Sequence, residues 1–343
     1  MSVVLREPGA AVEATPVGRR GGYFWDTLRE RKSAALGAFI VFALVTGAVL
    51  APWIAPYGLH EQVGPPFGAP SWEHPLGLDD GGIDMVTLLL WATRISIVVG
   101  LAATFVSMVI GGTVGLTAGY LGGKTDGTLM RITDYFLVIP DVPLMIVVAA
   151  IWGPSLFHIV IVIGILLWAA TARIIRSQVK SVRERVYIKR ARALGAGHLR
   201  IVARHVLPQI APLLIASTVL TMAVAIFDET ALAFLGLGDP SRISLGKMIE
   251  NAFQRAAISS GAWWAIVLPG IVVVLLILGY TLIGQAFEDR LNPRLRVAHV
   301  GARMFRLRPP VGIGTRTFES LRIQSSPIIR RTTCITGGLR KNS

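Results

Sequence analysis

The chain has 343 residues, 53% of them hydrophobic and 16% charged, with a mean hydropathy of +0.61 and a net charge of +14. Soluble globular domains carry about 25% charged residues, so this composition points away from a soluble domain and toward a polytopic membrane protein. The single cysteine, Cys334, excludes an internal disulfide framework, a Cys-based zinc site and an iron–sulfur cluster, and the six histidines are too scattered in sequence to suggest a metal-ligand motif.

Six stretches approach the roughly 20 apolar residues that a helix needs to cross a bilayer. They are Ser33–Ile54, Ile95–Tyr120, Ile132–Trp152, Leu156–Ala172, Pro212–Leu235 and Trp263–Phe287. Each must be helical, because an isolated span satisfies its backbone hydrogen bonds in lipid only internally. The first follows about 32 residues and is longer than a signal-peptide core, so it reads as a retained span. Basic residues then set the orientation. The amino-terminal segment holds Arg6, Arg19, Arg20, Arg29, Arg31 and Lys32, whereas residues 55–93 contain no Lys or Arg. Between the fourth and fifth spans lie Arg173, Arg176, Lys180, Arg183, Arg185, Lys189, Arg190, Arg192, Arg200 and Arg204. The expectation is an all-α, multi-pass protein of a prokaryotic plasma membrane with both termini cytoplasmic. Its parts are a cytoplasmic segment over 1–32, a permease domain over 33–297 (first span and outer loop 33–93, five-helix core 94–297) and a basic disordered tail over 298–343 that contains Cys334. The positive charge is assigned to membrane lipid, not to nucleic acid.

Nucleotide chemistry finds no home in the sequence. The stretch Gly119-Tyr120-Leu121-Gly122-Gly123-Lys124-Thr125 is one residue short of a phosphate-binding loop and follows a membrane helix where the motif needs a strand. It reads as a tight turn between the second and third spans. With no nucleophile–base set and no metal cluster, a non-catalytic chain is expected.

The segment 183–208 carries the most information. Val186, Ala193 and Leu194 share a helical face among basic residues, and Gly195 and Gly197 end that helix. A second short amphipathic run, Leu199 to Leu207, leads to Pro208, where the fifth span begins. Such a helix–turn–helix suits a groove on another protein or a resting place on anionic lipid. The segment resembles the EAA loop of binding-protein-dependent ABC importer permeases: Ala191, Gly195, Leu207 and Pro208 fall in register. Lys189 and Arg190 stand where that family usually has Glu and Ala, and His205 replaces the usual Ile. Other stretches are similar to the second permease subunit of dipeptide, oligopeptide and nickel importers. His74-Pro75-Leu76-Gly77-Leu78-Asp79-Asp80-Gly81-Gly82-Ile83-Asp84 resembles HPLGTDxxGRD, with Ile83 in place of Arg. Ala92 to Ser96 resembles GARIS, Leu232 to Gly238 resembles SFLGLG, and Asn292-Pro293-Arg294-Leu295-Arg296 resembles the usual ending. The resemblance implies a type I ABC importer (MetI-like) fold and half of a translocation path for peptides. It also implies a second homologous permease, two cytoplasmic ATPase subunits that bind ATP and Mg, and an extracytoplasmic substrate-binding protein. Lys189, Arg190, Ala191, Gly195, Gly197, Leu207 and Pro208 would form the ATPase-coupling loop.

Three acids lie at membrane depth, where a charge at a helix centre costs roughly 2.5–3.5 kcal/mol. Asp141 sits between Pro140 and Pro143, about nine residues into the third span. Asp228 and Glu229 lie toward the outer end of the fifth, and Glu229 matches a Glu typical of this permease branch. These three are translocation-path candidates, or else face internal water or a partner subunit. Gly111, Gly115 and Gly119 recur at four-residue spacing and predict close helix packing. The competing reading is a secondary transporter or channel that uses the three acids as proton or cation sites; a permease for nickel or another small solute is a further alternative.

Overall fold

The computed structural model describes residues 31–291. Most of the basic amino-terminal segment, the Asn292–Arg296 ending and the tail beyond it lie outside the described residues. Regular structure within them is helical, apart from one isolated antiparallel bridge between Leu78 and Asp84. Helix α1 (Lys32–Ile54) leads into an extended loop, then α2 (Met85–Leu121), α3 (Gly123–Val138), α4 (Asp141–Trp152) and α5 (Leu156–Arg183). Short α6 (Val186–Ala193) and α7 (His198–Ile201) follow, then α8 (Leu207–Leu232), α9 (Leu245–Gln254) and α10 (Trp264–Leu291). Five continuous helical segments are long and apolar enough to cross a membrane, and α3 with α4 makes a sixth if the pair counts as one crossing.

Three boundaries depart from the hydropathy reading. The second span begins at Met85, ten residues before Ile95, because Asp84 caps it: its Oδ2 accepts from the Thr87 N–H at 3.0 Å. The fourth runs on to Arg183, ending in basic residues that suit a helix carboxyl terminus. The third is not one helix. It breaks at Ile139–Pro140 and bends by 84°, because Pro140 disfavours helical backbone at Ile139. Pro143 falls in the first turn of α4, where a missing N–H costs nothing. Asp141 therefore stands at a bend, not nine residues down a straight rod.

The most extensive helix contact joins α2 to α5. It is close because Gly111, Gly115 and Gly119 line it: a Cβ on these would lie 2.6 Å from the Trp168 carbonyl oxygen, 2.5 Å from that of Ala172 and 2.8 Å from the Val179 Cβ. At one end of the bundle, Met85, Leu88, Ile226, Leu245 and Leu276 form a core shared by α2, α8, α9 and α10. At the other, Tyr120, Ile175, Val179, Ile188, Ile201 and Val206 gather beneath the basic segment. Large apolar side chains such as Phe39, Phe42, Phe105, Val147 and Val274 remain exposed along the spans, as lipid or a partner subunit requires.

Candidate functional site: a docking loop and a broken span

The basic end is built around α6. Its apolar anchor, Ile188, is fully buried, while Val186, Leu194 and Leu199 are 64%, 88% and 86% exposed. Lys189 and Arg190 also face outward. The helix closes on Gly195 at φ +82°: Ala196 N–H donates to Ala191 O (3.1 Å) and Gly195 N–H to Arg192 O (3.0 Å). This paired closure needs a left-handed residue, which glycine supplies without a Cβ penalty. Gly197 keeps a negative φ and precedes α7.

The next run is not a separate helix. From His198 to Leu235 the chain is one helical run, broken where Gly236 takes φ +82°, with a wide turn over Val202–Val206 in which the Leu207 N–H reaches the Val202 carbonyl. Pro208 accounts for this turn. It has no N–H for the Arg204 carbonyl, and its ring would crowd that group in a regular helix. The second run of the docking loop is therefore continuous with the fifth span.

Three contacts tie this end to the second span. Arg183 Nη1 donates to the Tyr120 carbonyl (3.1 Å), capping α2. The Tyr120 hydroxyl meets His198 Nδ1 at 3.2 Å, and the Arg192 guanidinium lies 5.7 Å from the Tyr120 ring centre. Nearby, Arg176 grips Asp126 with Nε and with Nη2 (2.8 Å), and Lys180 stands 3.3 Å from the same carboxylate, joining α5 to α3. Glu184, beside Lys189 and Arg183, is held below the usual carboxylate range by those two cations. Little in the sequence marks Asp126 as the partner of Arg176, because 50 residues separate them.

The opposite end carries the HPLG-like stretch, which folds as a clasp over the start of α2. His74 Nδ1 meets Asp84 Oδ1 at 3.1 Å, and Asp79 Oδ1 accepts from the N–H groups of Gly81 (2.9 Å) and Ile83 (2.7 Å). Burial raises the Asp79 carboxyl above its usual value. Trp264 Nε1 donates to the Leu78 carbonyl at 3.1 Å and fastens the clasp to α10. The Asp84 cap was available to sequence reasoning, since a short acid before a long apolar run marks a helix start.

The membrane-depth acids separate into two environments. Glu229 is buried between α8 and α2, where the Ser96 hydroxyl donates to Oε2 at 2.9 Å. Ser96 Oγ in turn accepts from Leu245 N–H (3.3 Å), so one serine links three helices. Asp228, one residue earlier, is 4% exposed, and its Oδ2 has no hydrogen-bond partner among the described residues. Asp141, exposed at the bend of the broken span, lies within electrostatic reach of it. No group of three or more potential metal ligands clusters among the described residues.

An apolar helical bundle, a broken span and an outward-facing basic helix–turn–helix together describe the membrane subunit of a solute permease. Residues 111–297 match the profile of the binding-protein-dependent transport system inner membrane component family, and residues 20–67 match the N-terminal TM domain of oligopeptide transport permease C. The chain is 35% identical to the di/tripeptide transport system permease protein DppC of Pseudomonas aeruginosa, over 80% of this chain and 92% of that protein. It is 33% identical to the dipeptide transport system permease protein DppC of Bacillus subtilis (79% and 85%) and 31% identical to the glutathione transport system permease protein GsiD of Pectobacterium atrosepticum (80% and 91%). The chain belongs to the binding-protein-dependent permease family, and is a multi-pass inner-membrane subunit of an ABC importer.

Proposed function

We propose that this chain forms half of a translocation path for short peptides, with a second homologous permease subunit completing it. Two ATPase subunits that bind ATP and Mg dock at the basic end on the cytoplasmic side, and an extracytoplasmic binding protein delivers cargo at the other. The chain itself contributes no catalytic group. One observation carries the coupling role: α6 is anchored inward through Ile188 while its turn presents Val186, Leu194 and Leu199 to the outside. A continuous helix from His198 onward then transmits any displacement of that turn to the fifth span. ATP drives transport only through a difference in binding free energy between two states of the permease. The short-peptide cargo is supported by the di/tripeptide, dipeptide and glutathione systems to which the three relatives belong.

The test is reconstitution in liposomes of the chain co-expressed with the second permease and the ATPase subunits. ATP-dependent uptake of a labelled dipeptide is expected, with none driven by an ion gradient alone. Gradient-driven uptake by the isolated chain would establish the secondary-transporter reading instead. Leu194→Asp tests docking, because this side chain faces outward and the substitution leaves internal packing intact. Co-purified ATPase should fall by about tenfold, the equivalent of roughly 1.4 kcal/mol of interface.

A further inference from the structure

Asp228 stands apart among the buried carboxylates of the described residues. Glu229 beside it is engaged by Ser96, Asp126 by Arg176 and Asp84 by Thr87 and His74. Asp228 Oδ2 has no such partner, although the residue is 4% exposed. Asp141, at the bend between α3 and α4, shares a helical face with Met145, which packs in the same core as Ala225 and Leu232, the residues one turn either side of Asp228 on α8. Asp141 uses Oδ1 to accept the Val142 N–H at 3.0 Å. None of the ion pairs among the described residues includes either carboxylate. Their surroundings are apolar: Val99, Met145, Ala225 and Leu232 pack in the adjoining core. A buried carboxylate oxygen with no donor, with a second acid and no cation on the neighbouring helix face, is electrostatically incomplete.

We propose that Asp228 and Asp141 form a single cation subsite at the bend of the broken span, and that its ligand is a primary ammonium group carried by the cargo. An ammonium has three donors and no acceptor, so it satisfies the orphan Asp228 oxygen and the Asp141 carboxylate together. A carboxylate or a neutral acyl group cannot do this. The subsite deepens the peptide-importer reading, since a free amino terminus is the ammonium that every unmodified peptide carries. It requires that peptides pass the bend with the amino end engaged by α8 and α4.

Cys334 is the chain's sole cysteine, which makes a direct probe possible. In the Cys334→Ser background, Asp141→Cys is labelled within the ATP-cycling complex by a trimethylammonium-ethyl or a sulfonato-ethyl methanethiosulfonate of similar size. Labelling is read on this chain by intact mass, and each rate is divided by that for free cysteine. The cationic reagent should react at least about tenfold faster, and adding Asp228→Asn should remove that preference. Separately, Asp228→Asn alone should lower dialanine uptake by about tenfold while binding-protein-stimulated ATP hydrolysis persists, which also shows that the variant assembles. A preference unmoved by Asp228→Asn, or uptake unchanged in that variant, overturns the subsite; an Asp228 already neutralised by a cation of the second permease would give the former result. Absence of ATP-driven dipeptide uptake in the unmodified complex would instead overturn the peptide-importer reading, so the two failures are distinguishable.

Discussion

Asp84 holds two structures with one carboxylate: Oδ2 closes the first turn of α2, and Oδ1 fixes the His74 ring. Asp84→Ala removes a cap worth about 1 kcal/mol and leaves the partly buried His74 imidazole without its carboxylate, so a fall in thermal midpoint of the detergent-solubilised protein is expected; an unchanged midpoint would refute the clasp. Asp79 makes the opposite case. Burial raises its carboxyl above the ordinary range, so the folded chain binds this proton more tightly than the unfolded chain does. Stability from this residue is therefore lost as pH rises from the ordinary carboxylate value through the raised one. Asn keeps an oxygen for the Gly81 and Ile83 N–H groups without the charge. Asp79→Asn should consequently be more stable than the natural chain at pH 8 and indistinguishable from it near pH 3; Asp79→Ala, which loses both acceptor contacts, should be less stable at both. Packing is just as position-specific. At Gly115 a Cβ would press on the Ala172 carbonyl oxygen, and Gly115→Val should cost about 1–3 kcal/mol through overpacking, seen as a lowered midpoint and poorer membrane yield.

At the scale of elements, the turn after α6 is the sharpest mechanical feature. Gly195→Pro would impose φ near −65° where the chain needs +82° and would delete the bond to Arg192 O. ATP-driven uptake should fall by about tenfold or more while insertion and helix content remain; normal uptake would show that the turn's geometry is dispensable. Much of this element was legible beforehand. The Gly195 turn follows from backbone chemistry, and the spacing of Val186, Ala193 and Leu194 marks an amphipathic helix, although the residue that anchors it inward is Ile188. What hydropathy missed has physical causes as well. A window over Ile132–Trp152 sees unbroken apolarity, whereas the break depends on the conformational effect of Pro140 on one residue. The same reading starts the second span at Ile95, because it does not register the cap at Asp84, which begins the helix ten residues earlier at Met85. The wide turn before Pro208 likewise arises from a missing N–H, which hydropathy cannot register. Pairings such as Ser96 with Glu229, or Asp126 with Arg176, depend on how distant helices meet and leave no mark on either local segment.

Across the whole molecule, charge and exposure set up a direct test of orientation. The rods are capped at one end by the clasp over residues 74–84, in a loop without Lys or Arg, and at the other by the basic α6–α7 segment. Retention of Lys and Arg on the cytoplasmic side predicts that the α6 end lies in the cytoplasm and the clasp on the opposite face of the membrane. Two exposed positions report these ends without disturbing a core: Leu194 on the basic turn and Trp72, wholly exposed, in the outer loop. With Cys334 replaced by Ser, Leu194→Cys and Trp72→Cys each place one thiol at one end. In right-side-out vesicles a membrane-impermeant maleimide should label position 72 and spare 194; in inverted vesicles the pattern should exchange. Equal labelling from both sides would mean mixed insertion, and the reversed pattern would put the docking helix out of reach of any cytosolic ATPase. Coupling depends on this geometry, because the helical run that starts at His198, just after the Leu194–Gly197 turn, continues to Asp228. If that run enters the membrane from the ATP-containing side, the helix that follows the docking turn also carries the orphan carboxylate, and ATP-dependent movement at one is linked to exposure of the other.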